Sequence, residues 1–125
     1  MKTKIQTLVN LLLKLHKALL DSERARYEAK NGPILDNNAY FNLVLSHEDF
    51  KWLRALLEVI ALLDEESEAE NISTENINAL ATKLQNLLSP NDNREFSQAY
   101  QEAISSNLEI NSLDKQVKDI IKTLS

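Results

Sequence analysis

IQTLVNLLLKLHKALLDSERARYEAK, residues 5–30, is the stretch that decides the fold. Its apolar side chains recur at spacings of three and four residues, the period of one face of an α-helix. They are Ile5, Leu8, Val9, Leu12, Leu15, Leu19 and Leu20. Asn31-Gly32-Pro33 follows, and it predicts the end of the helix because Gly favours the left-handed cap position and Pro cannot continue a helix. Such a helix would be roughly 40 Å long, enough to span a small domain.

This first helix has a wide apolar arc, because Leu11, Leu13 and Leu15 flank its main stripe. A wide arc requires burial on two sides, either against more than one helix or in a dimer.

Composition favours a single helical domain. The chain has 125 residues, of which 43% are apolar and 26% charged, as in ordinary soluble globular proteins. It contains only one Gly and two Pro, and a sheet protein needs such residues at every hairpin. The sequence therefore predicts an all-α fold.

Two further helices are predicted in the first half. Asp36 or Asn37 caps a short helix that runs to about Ser46. Ser46 is then expected to cap a third helix, with Asp49 as a capping-box-like partner, and this helix runs to about Glu65. It carries the second strong apolar stripe and is the expected packing partner of the first helix. Its stripe comprises Phe50, Trp52, Leu53, Leu56, Leu57, Ile60 and Leu63.

The second half begins with an acidic segment, residues 64–71, which is either a solvated helix end or a linker. Ser73 or Thr74 caps the next helix, and the composition of residues 89–93 predicts a turn after it. A shorter helix is expected around residues 96–104.

The last helix is expected to begin with Asn111 as its cap and Asp114 three residues later, after a connection over residues 105–111. The predicted architecture is an all-α, single-domain bundle of about five to six helices with a long N-terminal helix. It covers residues 1–125, and any division into halves is expected near residues 64–73. The predicted core positions are Leu12, Leu19, Trp52, Leu56 and Ile60.

Charge is unevenly distributed. The net charge is −5, yet residues 1–30 carry seven Lys or Arg against three acidic residues, and residues 61–93 carry seven acidic residues against one Lys. Each segment can present a solvated polar face, or the acidic stretch 64–70 can lie near the basic helix within the chain or across a dimer. Nucleic acid is not expected as a partner, because phosphate binding needs a concentrated basic surface.

The sequence lacks the residues that several kinds of catalytic, metal-binding and phosphate-binding site require. The chain has no Cys, which removes disulfides, thiol nucleophiles and Cys-based zinc sites. Neither His16 nor His47 has a Glu three residues before it, so the ligand pairs of helical di-iron proteins are missing. A single Gly also excludes Gly-rich phosphate loops. No metal site and no cofactor are expected.

The expected location is the bacterial cytoplasm. The first apolar run is broken by Gln6, Asn10 and Lys14, and no small-residue cleavage site follows, so a secretory signal is not indicated. No run approaches 18 apolar residues, so no stable membrane insertion is expected.

A candidate polar cluster lies on the first helix, where His16, Glu23 and Tyr27 continue the apolar stripe. A buried ionised Glu is costly unless it is paired, so Glu23 needs a partner. The candidates are Arg54, the Trp52 indole and Tyr40. The cluster is interpreted as a satisfied polar layer at the edge of the core. The alternative is a pocket in which Glu23 and His16 act as base and acid and Tyr27 acts as a donor.

Phe50 and Trp52 form the candidate interaction surface. Their size and spacing on the third helix are typical of core residues. The functional alternative is an aromatic anchor for a partner, since Trp is enriched at binding hot spots.

One set of residues resembles a known family. The set comprises Leu15-His16-Lys17-Ala18-Leu19-Leu20-Asp21, Glu23-Arg24, Tyr27-Glu28, Gly32, Phe50, Trp52-Leu53-Arg54 and Asp64-Glu65. Over residues 12–65, under half of the chain, the sequence resembles a family of small bacterial helical proteins of unknown function. The resemblance implies a bacterial source and no particular activity.

The sequence therefore favours a non-enzymatic helical interaction or regulatory module with a protein partner, working through a helical surface as a monomer or homodimer. Two alternatives remain open. One is a small enzyme with an acid–base pocket around Glu23 and His16. The other is peripheral binding to a membrane surface through the basic first helix.

Overall fold

The structure, a computed structural model, describes residues 2–88 and 94–124, without the side chains of Asp49 and residues 94–97. This part of the chain forms six α-helices and one 3₁₀ turn, so the predicted all-α bundle is confirmed. The elements are α1 (Lys2–Asn31), α2 (Asn37–Ser46), the 3₁₀ turn (Glu48–Phe50), α3 (Lys51–Ser67), α4 (Thr74–Leu88), α5 (Arg94–Ser106) and α6 (Leu108–Leu124). The turn predicted at residues 89–93 lies outside the described residues.

The end of α1 follows the local sequence. Gly32 takes a φ of +86°, the left-handed region that favours Gly. Its N–H donates to the carbonyl of Glu28 over 2.9 Å and so satisfies one of the free carbonyls at the helix end. The predicted stop at Asn31-Gly32-Pro33 is confirmed.

α1 is the central helix of the bundle and packs against both α3 and α6. The wide apolar arc is thereby covered on two sides within one chain, with Leu15 fully buried and Leu11 partly buried, while Leu13 stays exposed. All five predicted core positions are buried. They are Leu12, Leu19, Trp52, Leu56 and Ile60.

The remaining helices close the core around this centre. α4 packs on α3 and α6, and α5 packs on α4 and α6. Ser73 caps α4, because its Oγ accepts from the N–H of Asn76 over 3.2 Å. The acidic segment divides between the end of α3 and a short linker, and Glu66 within it accepts from the N–H of Ser73 over 2.9 Å.

The predicted start of the third helix is wrong. Ser46 is the last residue of α2, and its Oγ donates to the carbonyl of Asn42 over 2.7 Å instead of capping a new helix. The chain then passes through the 3₁₀ turn, and α3 begins at Lys51 after Phe50, which forms no side-chain cap. The side chain of Asp49, the expected capping partner, lies outside the described residues.

The predicted start of the last helix is also wrong. α6 begins at Leu108, and the oxygen of the Asn107 side chain accepts from the N–H groups of Glu109 and Ile110 at 2.9 and 3.2 Å. Asn111 lies inside the helix and donates its backbone N–H to Asn107. Both Asn residues suit a cap, and packing of Ile110 in the core places the earlier one at the helix start.

None of the helices within residues 2–88 and 94–124 is both long and apolar enough to cross a membrane. The apolar stripe of α1, which the membrane-surface alternative would use, lies in the core of the bundle.

Candidate functional site

A cleft opens between α1, the start of α3, and α5. Its volume is about 600 Å³, and its apolar surface is provided by Leu19, Trp52, Ala99 and Ala103. A second cavity of about 320 Å³ shares Trp52 and continues toward the 3₁₀ turn. Leu19 and Trp52 also belong to the core, and Leu19 is fully buried beneath the cleft.

Charged groups stand at the mouth of this cleft. The Nη1 atom of Arg26 lies 3.5 Å from Oε2 of Glu23 and 3.2 Å from Oε2 of Glu102. Glu23 is buried, whereas the side chains of Arg26 and Glu102 are 47% and 65% exposed. One guanidinium thus bridges a buried carboxylate on α1 and a solvated carboxylate on α5.

The ion pair between Glu23 and Arg26 was not predicted, although the spacing of the two residues in the sequence indicates it. Arg26 follows Glu23 by three residues, a separation that brings side chains together on a helix surface. The contact with Glu102 had no signal in the sequence, because it depends on how α5 packs beside α1.

His16 lies in a different environment from Glu23. It is buried, and this burial lowers the pKa of its imidazole, while a hydrogen bond with the backbone of Leu53 acts in the opposite direction. Among the described residues, the lining of the cleft includes Glu23 but not His16. The structure therefore places the two groups of the acid–base hypothesis in separate surroundings.

Tyr27 and Arg54 meet at His47, which was not predicted to belong to the polar cluster. The Tyr27 ring lies edge-on to the His47 ring at 5.3 Å between centroids, and Nη2 of Arg54 donates to the His47 carbonyl over 3.2 Å. Phe50 packs against both rings at 6.2 and 6.5 Å. His16, Glu23 and the pair of Tyr27 with its candidate neighbour Arg54 thus lie in three separate surroundings.

Phe50 and Trp52 are both buried, so the core interpretation of these aromatics holds. Phe50 is fully enclosed and offers no exposed surface to a partner, which corrects its use as an anchor. Trp52 contributes to the wall of the cleft instead of to an open helical face.

An exposed apolar surface lies on α2. No residue of this helix is buried, and it contains no charged residue. Phe41 and Leu45, one helical turn apart, are 61% and 53% exposed. We define the α2 face by these two residues and their exposed neighbours Asn37, Asn38, Asn42 and Ser46.

A buried polar network holds α5 to α6. Tyr100 is fully buried and donates its hydroxyl to Oδ1 of Asp114 over 2.6 Å, while Nζ of Lys118 lies 3.0 Å from Oδ2. Burial and the Asp114 carboxylate raise the pKa of Tyr100, so the hydroxyl keeps its proton. The sequence assigned Asp114 to a helix cap, although its spacing from Ile110 and Val117 places it on the buried face.

Within residues 2–88 and 94–124, no three His, Asp or Glu side chains come together in a group that could hold a metal ion. Comparison of the chain with protein-family models, curated proteins and solved structures gave no match. The resemblance to small bacterial helical proteins therefore stays a prediction.

Proposed function

We propose that this protein is a non-enzymatic helical interaction module, and that its α2 face binds the same face of a second copy of the chain. The observation that supports this is a helix that buries none of its residues and yet exposes Phe41 and Leu45 side by side. Single exposed apolar residues are ordinary. A contiguous pair on a helix without charge is typical of a contact surface.

The absence of charge favours a second copy as the occupant. The chain carries a net charge of −5, so two copies repel each other at long range, and a neutral contact surface adds no like-charge repulsion at short range. In a twofold dimer the same patch faces itself, and any charged residue near its centre would meet its own like charge. The α2 face avoids this conflict.

The polar residues of the face are also suited to self-pairing. Asn38 and Asn42 flank the apolar pair, and both are exposed. An Asn amide carries donors and an acceptor, so each side chain can hydrogen bond with its symmetry mate. Such groups would form the polar rim around an apolar centre of Phe41 and Leu45.

Sedimentation velocity over about 1 to 500 µM protein tests the proposal. We expect a concentration-dependent dimer in the unaltered protein. Phe41→Glu should produce a monomer at all concentrations, because dimerisation would then bury an unpaired charge. Leu108→Glu is the matched control, since Leu108 is 90% exposed on α6 and lies outside the α2 face.

Thermal unfolding should show that Phe41→Glu keeps the fold, because Phe41 is not part of the core. A protein that stays monomeric across the whole concentration range would refute the second-copy proposal. A dimer that survives Phe41→Glu but not Leu108→Glu would place the contact elsewhere.

A further inference from the structure

An open groove lies between α3 and α4, and it shares no lining residue with the cleft beside Glu23. Its volume is about 470 Å³, and the apolar residues of its lining are Leu62, Ala69, Ala79 and Leu80. Leu62 is 43% exposed, Ala79 is exposed, and Ala69 and Leu80 are partly exposed. This apolar surface is therefore accessible to a ligand.

Carboxylates border this groove. Glu65 and Glu66 line it on the α3 side, next to Leu62. Residues 55–82 carry seven acidic residues and no Lys, Arg or His. In the part of the chain that the structure describes, neither Glu65 nor Glu66 forms an ion pair with a basic side chain. The rim of the groove therefore attracts cations and repels anionic ligands.

The two carboxylates have different roles. Oε1 of Glu66 accepts from the Ser73 N–H over 2.9 Å, and Oε2 accepts from the Asn76 amide over 3.4 Å, so Glu66 stabilises the start of α4. Glu65 is exposed, and its side chain has no hydrogen bond or ion pair within the described residues. It also lies in the last turn of α3, where the helix dipole favours a cation and the sequence supplies no basic residue. A positive group beside Glu65 would relieve this unfavourable arrangement.

We propose that the α3–α4 groove binds a basic amphipathic helix of a partner protein. In this arrangement apolar side chains of the partner pack on Leu62 and Leu80, and a Lys or Arg lies beside Glu65. Amphipathic helices bind hydrophobic grooves in this way, through side chains that recur every three or four residues. Ala69 and Ala79 are small, so they leave room for the backbone of the partner to come close. This inference concerns a region separate from the α2 face and does not depend on dimerisation.

The apolar lining and the carboxylates contribute differently to recognition. Burial of the apolar lining provides most of the free energy of binding. The carboxylates speed the encounter and discriminate against acidic segments, which would meet like charge. An apolar segment without positive charge would partly bury Glu65 without a partner, and that burial is unfavourable.

Fluorescence anisotropy of a dye-labelled peptide tests the proposal. The probe repeats Leu-Lys-Lys-Ala over about 16 residues, enough for an amphipathic helix to form on the groove. The protein is titrated to about 500 µM in about 150 mM salt. Two further peptides serve as controls: one has Glu in place of every Lys, and the other has Ser in place of every Leu. We expect saturable binding of the probe and much weaker binding of both control peptides.

Matched variants locate the binding site on the protein. Glu65→Gln should weaken binding of the probe about two- to fivefold, as expected for an exposed ion pair. Glu58→Gln removes the same charge from an exposed site of α3 outside the groove, and it should have little effect. Leu62→Ser should weaken binding about fivefold or more, because this side chain becomes buried in the complex. Leu57→Ser is its control, since Leu57 is also 43% exposed on α3 and does not line the groove.

Thermal unfolding should show that all four variants keep the fold, because each of the four side chains is exposed. Three results would overturn the inference: no saturation with the probe up to about 500 µM protein, equal binding of the probe and its Glu analogue, or equal affinities in the groove variants and their controls. Loss of self-association in Leu62→Ser would assign the groove to a second copy and would equally overturn it. Phe41→Glu should bind the probe as well as the unaltered protein does, so failure of the dimer proposal and failure of this one can be told apart.

Discussion

α1 and α2 are both helices that the sequence predicted at nearly the right residues, yet they contribute differently to the fold. α1 buries eight residues, including Glu23 and His16, whereas α2 buries none. In both helices a local sequence feature sets one end: Gly32 ends α1, and Asp36 caps the start of α2. Capping and stop residues determine where a helix forms. The helices that pack against it determine how much it contributes to the stability of the fold.

The difference arises from the number of packing partners. α1 lies between α3 and α6, whereas the main contacts of α2 are with the 3₁₀ turn and α3. The docking of α2 relies on ring contacts: Tyr40 packs on Phe50 at 6.2 Å, and the Arg24 guanidinium lies 4.5 Å from the Tyr40 ring centroid. Such contacts are modest in energy. A helix held in this way is expected to open locally before the bundle unfolds.

The largest expected effect comes from truncating a central core residue. Leu56 on α3 is fully buried, so Leu56→Ala should lower the free energy of unfolding by about 2–5 kcal/mol through lost burial and a residual cavity. Leu45→Ala on α2 is the matched control and should cost under about 0.5 kcal/mol, because Leu45 is largely exposed. Urea denaturation measures both, and equal losses would remove the distinction between the two regions.

A smaller loss of stability is expected when the buried hydrogen bond between Tyr100 and Asp114 is removed. Tyr100→Phe removes the donor to Asp114 and leaves a buried carboxylate with one fewer hydrogen bond. We expect a loss of about 1–3 kcal/mol in the free energy of unfolding. Tyr27→Phe is the control, since Tyr27 is only partly buried and packs through its ring. A Tyr100→Phe protein as stable as Tyr27→Phe would show that the network adds no stability.

The smallest effect on the free energy of unfolding of the whole protein is expected from removing the cap of α2. Asp36 accepts from the N–H of Ala39 over 2.7 Å, and removing such a cap weakens a helix by about 1 kcal/mol. Asp36→Ala should therefore speed hydrogen exchange of the α2 amides while leaving the α3 amides unchanged. Asn38→Ala within the same exposed helix serves as the control. Equal loss of protection in α3 would mean that α2 unfolds together with the core.

The candidate cleft was predictable only in part. The sequence singled out Glu23, because an acidic residue on an apolar stripe is unusual, and the structure places it in the wall of the cleft. Its ion pair with Arg26 follows helix spacing, but the pairing of Arg26 with Glu102 joins residues 76 positions apart. No local pattern encodes that contact, because it depends on the placement of α5.

The sequence by itself determined the helical class, the long first helix, its stop at Gly32 and the five predicted core positions, because apolar period and capping chemistry act over a few residues. Only the tertiary structure decided that Asn107 rather than Asn111 caps α6, that Tyr27 and Arg54 meet at His47, and that α2 stays at the surface. The physical reason is that these outcomes depend on which helix faces are brought together. Several helix starts and side-chain partners have nearly equal local energies. Packing between helices that are distant in the chain determines which of them the fold adopts.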